Sequence, residues 1–318
     1  MKRWKVPIQR NFFLSALEYG APFAKLSTVN HHSNEITESI ESFSSRNSID
    51  AEPTATTSPN DPPWNVGSAV SLWVASVLLI ILVPTLFLAP YAYLSAGSLD
   101  GEDLMRSLAS DPVAIAIQIA AIIPAHLITL AIAFYIVTAG KRFSFFKMLG
   151  WESGGMRWFH HLAILIAFFS LIGLIGYFVP EPEHEMMKML KSSRYAVFLV
   201  AAMAVLTAPL VEEVVYRGVL YSAIQRTAGV STAVVVVTGL FALVHLPQYY
   251  PSVATMSVLT LLSLVLTLIR VRTNNVLPCV ILHTIFNGMQ AMLLIAEPYL
   301  GVEPALKEQV AAFTGLLS

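Results

Sequence analysis

Residues 66–94 read VGSAVSLWVASVLLIILVPTLFLAPYAYL, and no charged side chain interrupts them. A helix rises 1.5 Å per residue, so about 20 apolar residues cross a hydrocarbon core of ~30 Å. This stretch is therefore read as a transmembrane helix that Pro84 and Pro90 should kink or end. Working outward, the same pattern recurs at 112–138, 158–179, 195–225 (with an interruption at Pro209), 230–246 (stopping at Pro247), 252–269 and 276–296. The expected fold is an all-α polytopic membrane helical bundle of about seven transmembrane helices. Eight remains open, because the count carries an uncertainty of one.

Composition agrees. Of 318 residues, 56% are hydrophobic and 12% charged, against about 25% charged in a typical soluble domain. Mean hydropathy is +0.67. These values exclude a disordered chain and an ordinary soluble enzyme. A net charge of −1 leaves no basic field for nucleic acid. The single cysteine, Cys279, excludes an internal disulfide and a cysteine-built zinc site.

The chain divides into four stretches. Residues 1–65 are expected to form a flexible N-terminal arm. They open basic and apolar (Lys2, Arg3, Trp4, Lys5, Arg10, Phe12, Phe13), a composition suited to a tail or to an anionic membrane surface. They continue rich in Ser, Thr, Asn and Glu, with too little apolar surface to offset chain entropy. Arg10, Asn11 and Glu18 break any signal-peptide core. N-terminal transmembrane helices occupy 66–190, the polar-bearing spans 191–300, and a tail 301–318. No internal repeat is evident, which weakens a transporter built from duplicated halves. Lys141, Arg142, Lys147, Arg157, Arg226, Arg270 and Arg272 fall in loops on one side. The positive-inside rule then expects a multi-pass protein of the cell (inner) membrane with a cytoplasmic N-terminus.

Ionisable groups inside spans cost about 2.5–3.5 kcal/mol each at a helix centre on insertion scales, so each needs a reason. Between residues 186 and 296 the only carboxylates are the adjacent Glu212 and Glu213, just after Pro209. Arg217, His245, His283 and Asn287 share that depth. Glu213 and Arg217 are four apart, acid first, the favourable order for a helical ion pair. Glu212 points about 100° away and is left for another role. His283 and Asn287, four apart, share a helix face, and Phe241 flanks His245 in the same way. Two readings stay open on spacing alone: a buried polar network joining three helices, or a site where carboxylate, imidazoles and amide converge. His126 in the second span is read as packing or a local hydrogen bond.

Three segments carry a resemblance: Glu212-Glu213-Val-Val-Tyr-Arg217, then Phe241-Ala-Leu-Val-His245, then His283-Thr-Ile-Phe-Asn287. In order and internal spacing they resemble the three-motif signature of the CPBP family. That family takes in type II CAAX prenyl endopeptidases, bacteriocin-processing Abi proteins and proteins like lysostaphin resistance protein A. Gly218 and the Asn274-Asn275 turn also fit, and the resemblance spans roughly residues 196–295. It implies an intramembrane glutamic protease acting on a membrane-associated protein or peptide, with prenylated CAAX substrates implied by the family name alone. Carried over, Glu212 is the general base, His245 its partner in activating water, and His283 and Asn287 stabilise the oxyanion. Glu213 and Arg217 support them. Water is a poor nucleophile until a base takes its proton, and the developing oxyanion needs preorganised donors.

No cofactor is expected. No His-Glu-x-x-His motif occurs, which argues against a zincin. Zinc held by Glu212, His245 and His283 is a minor alternative, since three ligands with an open position can form a catalytic site. A nucleophilic Cys279, four before His283, is a weaker one. The lipid bilayer and a peptide substrate are the expected partners, with no nucleic acid. Two other function classes remain: a non-proteolytic scaffold or immunity- or chaperone-like protein, and a small-solute or proton carrier using Glu212.

Overall fold

The computed structural model describes residues 57–97, 99–179, 182–296 and Tyr299. The expected tail, 301–318, and residues 1–56 of the expected arm lie outside the described residues. Among the described residues twelve α-helices follow in order: α1 (Val66–Ala96), α2 (Gly101–Ser110), α3 (Pro112–Val137), α4 (Phe145–Leu149), α5 (Trp158–Phe178), α6 (Glu185–Ser192), α7 (Arg194–Leu206), α8 (Ala208–Glu212), α9 (Tyr221–Ala228), α10 (Val230–Tyr249), α11 (Val253–Thr273) and α12 (Leu277–Ala296). A π-helical segment, Glu213–Leu220, joins α8 to α9. Among the described residues there is no strand, only one bridge between Ser58 and Asp61. Among the described residues seven helical stretches are long and apolar enough to cross a membrane: α1, α3, α5, the composite Arg194–Ala228, α10, α11 and α12.

The prolines do not end the helices. α1 runs through Pro84 and Pro90 to Ala96, and α10 passes Pro247 to end at Tyr249. In lipid a chain that leaves the helix finds no water for its peptide groups, so the helix persists despite one lost bond. Helix starts follow capping chemistry. Asn65 Oδ1 accepts from Ser68 N–H at 2.8 Å to open α1, and Asp111 Oδ1 accepts from Val113 N–H at 2.9 Å to open α3. The Tyr91 hydroxyl also donates to Asp111, and together these donors hold its carboxyl below the usual carboxylate range.

α1 packs along α3, α10 along α11, and α12 along α7. The π segment is wholly buried, every residue from Glu213 to Leu220, and sits among α1, α3, α10, α11 and α12. Gly218 permits a close approach there: a Cβ on it would stand 2.8 Å from Leu149 Cδ2 of α4. The turn after α11 is tied to the loop after α4. Asn274 closes α11 in the left-handed region, and Val276 N–H donates to the Gly150 carbonyl at 2.8 Å.

Two expectations need correction. The arm drawn to residue 65 is not free at its end, because 57–65 form a strap against the arginine-bearing ends of the helices. Trp64 is buried and its indole Nε1–H donates to the Val219 carbonyl at 3.0 Å. Polar composition hid this, since one large aromatic and a few backbone carbonyls do the anchoring. Arg270, assigned to a loop, lies instead in the last turn of α11 and is fully buried.

Candidate active site

The fourth span changes its helical register twice. Pro209 lacks an N–H, and α7 gives way at Thr207 to the five-residue α8. The ladder then widens, with Tyr221 N–H reaching the Tyr216 carbonyl five residues back. Such π turns recur at functional sites. The two glutamates sit at this junction, Glu212 closing α8 and Glu213 opening the π segment.

Glu213 and Arg217 form the spaced pair directly: Arg217 Nη1 donates to Glu213 Oε1 at 3.0 Å, with both side chains at zero exposure. A guanidinium buried so deeply needs more than one acceptor. It finds Ser263 Oγ at 2.8 Å, the Ser263 carbonyl at 3.0 Å and Thr267 Oγ1 at 3.3 Å, all on α11. The Phe241 ring lies 4.8 Å beneath it, a cation–π contact. Ser263 and Thr267 went unread in the sequence, although two hydroxyls four apart in an apolar span are a signal.

His283 on α12 joins the two acids. Its Nδ1 is 2.8 Å from Glu213 Oε1, and its Nε2 is 3.8 Å from Glu212 Oε2, too far for a direct hydrogen bond. Glu212 Oε2 and Glu213 Oε2 have no hydrogen-bond partner among the described residues. Glu212 alone of the pair is not sealed in; its side chain is 18% exposed.

His245 on α10 enters through Phe241. The rings are 4.7 Å apart, and Phe241 in turn lies 6.3 Å from the His283 ring. His245 Nδ1 is 2.7 Å from the Phe241 carbonyl. A carbonyl only accepts, so Nδ1 carries a proton and a neutral ring leaves Nε2 with its lone pair. Asn287 Nδ2 donates to the Ala204 carbonyl at 2.9 Å, near the end of α7. His126 on α3 makes a hydrogen bond, though to a distant residue and not a local one. Its Nδ1 is 2.9 Å from Thr207 Oγ1, at the break, and it lies within electrostatic reach of Glu212. Cys279 is buried and gives its thiol to the Leu266 carbonyl at 3.3 Å. Among the described residues no group of three His, Cys, Asp or Glu side chains is arranged to hold a metal ion.

Arg270 Nε donates to the Arg217 carbonyl at 3.1 Å. Glu212 lies five residues before Arg217 along the same span, roughly 7 Å along the helix axis.

Residues 194–289 match the model of a family described as type II CAAX prenyl endopeptidase Rce1-like. The match begins with α7, ends within α12 and contains all three motifs. No curated protein and no solved structure matches the chain.

Proposed function

We propose, for a multi-pass membrane protein whose residues 194–289 match the model of the Rce1-like family of type II CAAX prenyl endopeptidases, that the chain is an intramembrane endopeptidase. The family points to a hydrolase of the protease class. The finer reading is cleavage of a peptide bond in a membrane-associated protein or peptide by activated water. The observation that carries it is Glu212: a carboxylate where α-helix passes into π-helix, with Oε2 unpartnered among the described residues and His283 Nε2 at 3.8 Å.

The residues divide the work. Glu212 takes a proton from water as its oxygen attacks the scissile carbonyl, and His245 Nε2 is the second acceptor at that water. The carbonyl π electrons move to oxygen. Asn287 has two amide N–H bonds; one is held by the Ala204 carbonyl, and the other is free to donate to the oxyanion. His283 gives Nδ1–H to Glu213, so it donates from Nε2 only as the imidazolium. In that state Glu212, Glu213, Arg217 and His283 sum to zero charge, the arrangement an apolar surrounding favours. Collapse breaks the C–N bond, and the proton on Glu212 passes to the leaving amine. Donors fixed before reaction supply the electrostatic share of catalysis. No metal enters this scheme. The end of the bundle bearing Arg226, Arg270 and Arg272 is taken as cytoplasmic.

The test is cleavage of prenylated and unprenylated membrane-associated peptides by purified protein in detergent, followed by mass spectrometry, with and without chelator. Cleavage that survives chelation and disappears with Glu212→Gln is expected. Stoichiometric zinc whose removal abolishes activity would replace the scheme with a metal mechanism. A folded protein that cleaves none of the peptides would leave the polar cluster as a structural network.

A further inference from the structure

Arg270 is fully buried, yet all its hydrogen-bond acceptors among the described residues are uncharged. Nε donates to the Arg217 carbonyl at 3.1 Å, Nη1 to Asn60 Oδ1 at 3.0 Å and Nη2 to the Pro59 carbonyl at 2.8 Å. The Tyr221 ring stacks 5.1 Å from the guanidinium. A buried cation without a carboxylate is a costly arrangement, and one of its three contacts is the backbone of the π segment that opens at Glu213.

The strap reaches that segment a second time. Trp64 Nε1–H donates to the Val219 carbonyl. Arg226 of α9 donates back to the Pro62 and Trp64 carbonyls, and Gln225 to the Asn60 carbonyl. Asn60 Nδ2 then donates to Asn274 Oδ1 at 2.6 Å. Two carbonyls of the π segment, those of Arg217 and Val219, are thus gripped from outside the helix, one through Arg270 and one through Trp64. A π turn is rare and lies close in geometry to ordinary α-helix. Relaxing it by one register would rotate Glu213 away from His283 and move Glu212 with it.

We infer that Arg270, braced by Asn60 and Pro59 of the strap, is a positioning residue for the site. It holds the π turn in register so that Glu213 meets His283 and Glu212 stays in place. The inference rests on the endopeptidase reading for its kinetic consequence, but not for its structural one.

The experiment uses the full chain in detergent with two variants and two readouts. Arg270→Lys keeps the charge and loses the planar fork. Misplacement of about 1 Å can cost ~10²-fold, so kcat should fall by about that factor with KM little changed. Backbone amides of residues 214–221 should lose hydrogen-exchange protection while the rest of the bundle keeps its own. Asn60→Ala removes one brace and leaves Arg270, and should show the same exchange signature with a smaller fall in kcat. A folded Arg270→Lys variant with parental kcat and unchanged exchange overturns the inference, as does a rise in KM alone. Should Arg270→Lys not fold, Asn60→Ala decides on the same readouts. Should the parental protein cleave no peptide, the endopeptidase reading fails. Exchange at 214–221 still decides the positioning role: local loss supports it and no change overturns it.

Discussion

α1 and α11 both cross the membrane, and their surfaces differ in kind. Within the most apolar stretch of α1, 17% of residues are buried against protein; in α11 the share is 56%, and in the composite fourth span 50%. α1 turns Ile81, Leu82, Leu86 and Phe87 outward. α11 and the fourth span turn Ser263, Thr267, Glu213 and Arg217 inward. In water the buried face is the apolar one. Here lipid solvates leucine as well as protein does, so close packing and polar contacts choose the centre. The most apolar span is the least enclosed, and the spans carrying charge are held in the middle.

This contrast should appear in mutants, largest effects first. Glu212→Gln is nearly isosteric and should leave melting unchanged while kcat falls ~10²–10⁴-fold, the usual worth of a general base. His245→Ala should be comparably damaging. In the proposed mechanism the two act on one water, so the double variant should be little worse than either single one. Turnover by monodisperse variants of matched melting temperature checks this, and parental turnover by Glu212→Gln would remove the central spans' catalytic distinction.

Next in size, Glu213→Gln leaves Arg217 buried without its carboxylate, a break worth about 3–5 kcal/mol. Folded yield should drop, and Glu213→Gln with Arg217→Met together should recover part of it. A double variant no better than the singles means that the pair does not act as a unit. Asn287→Ala should lower kcat by about 10²–10³-fold, as removal of an oxyanion donor does, and leave KM nearly unchanged. At the bottom of the scale, Leu86→Ala on the lipid face of α1 should shift stability by no more than about 0.5 kcal/mol, measured by thermal melting in detergent. A large loss there would show α1 to be packed against something rather than solvated by lipid.

The spans were legible because a run of apolar residues has one meaning at that length. The motifs were legible because Glu213/Arg217, Phe241/His245 and His283/Asn287 are each one helical turn apart. What escaped depends on pairings distant in sequence. Arg270 looks like a loop cation until Asn60, 210 residues away, supplies an acceptor. His126 looks like packing or a local hydrogen bond until Thr207, 81 residues on, stands opposite it. The π turn has no signature of its own in Val214-Val215-Tyr216. Pro209 marked the break in the fourth span, whereas Pro84 and Pro90 marked none, since proline weakens a helix locally and the surroundings decide whether it ends.

The four-residue spacing of Glu213 and Arg217 also bears on how the protein is made. Synthesis runs from the N-terminus, so this pair meets the bilayer before its later partners exist. Ser263 is 46 residues downstream of Arg217, and His283 is 70 downstream of Glu213. A lone arginine or carboxylate at mid-span resists entry from the translocon by about 2.5–3.5 kcal/mol. Placed one turn apart, the two neutralise each other within a single nascent helix, which can enter lipid as one nearly uncharged unit. Ser263, Thr267 and His283 then arrive to a pair already formed.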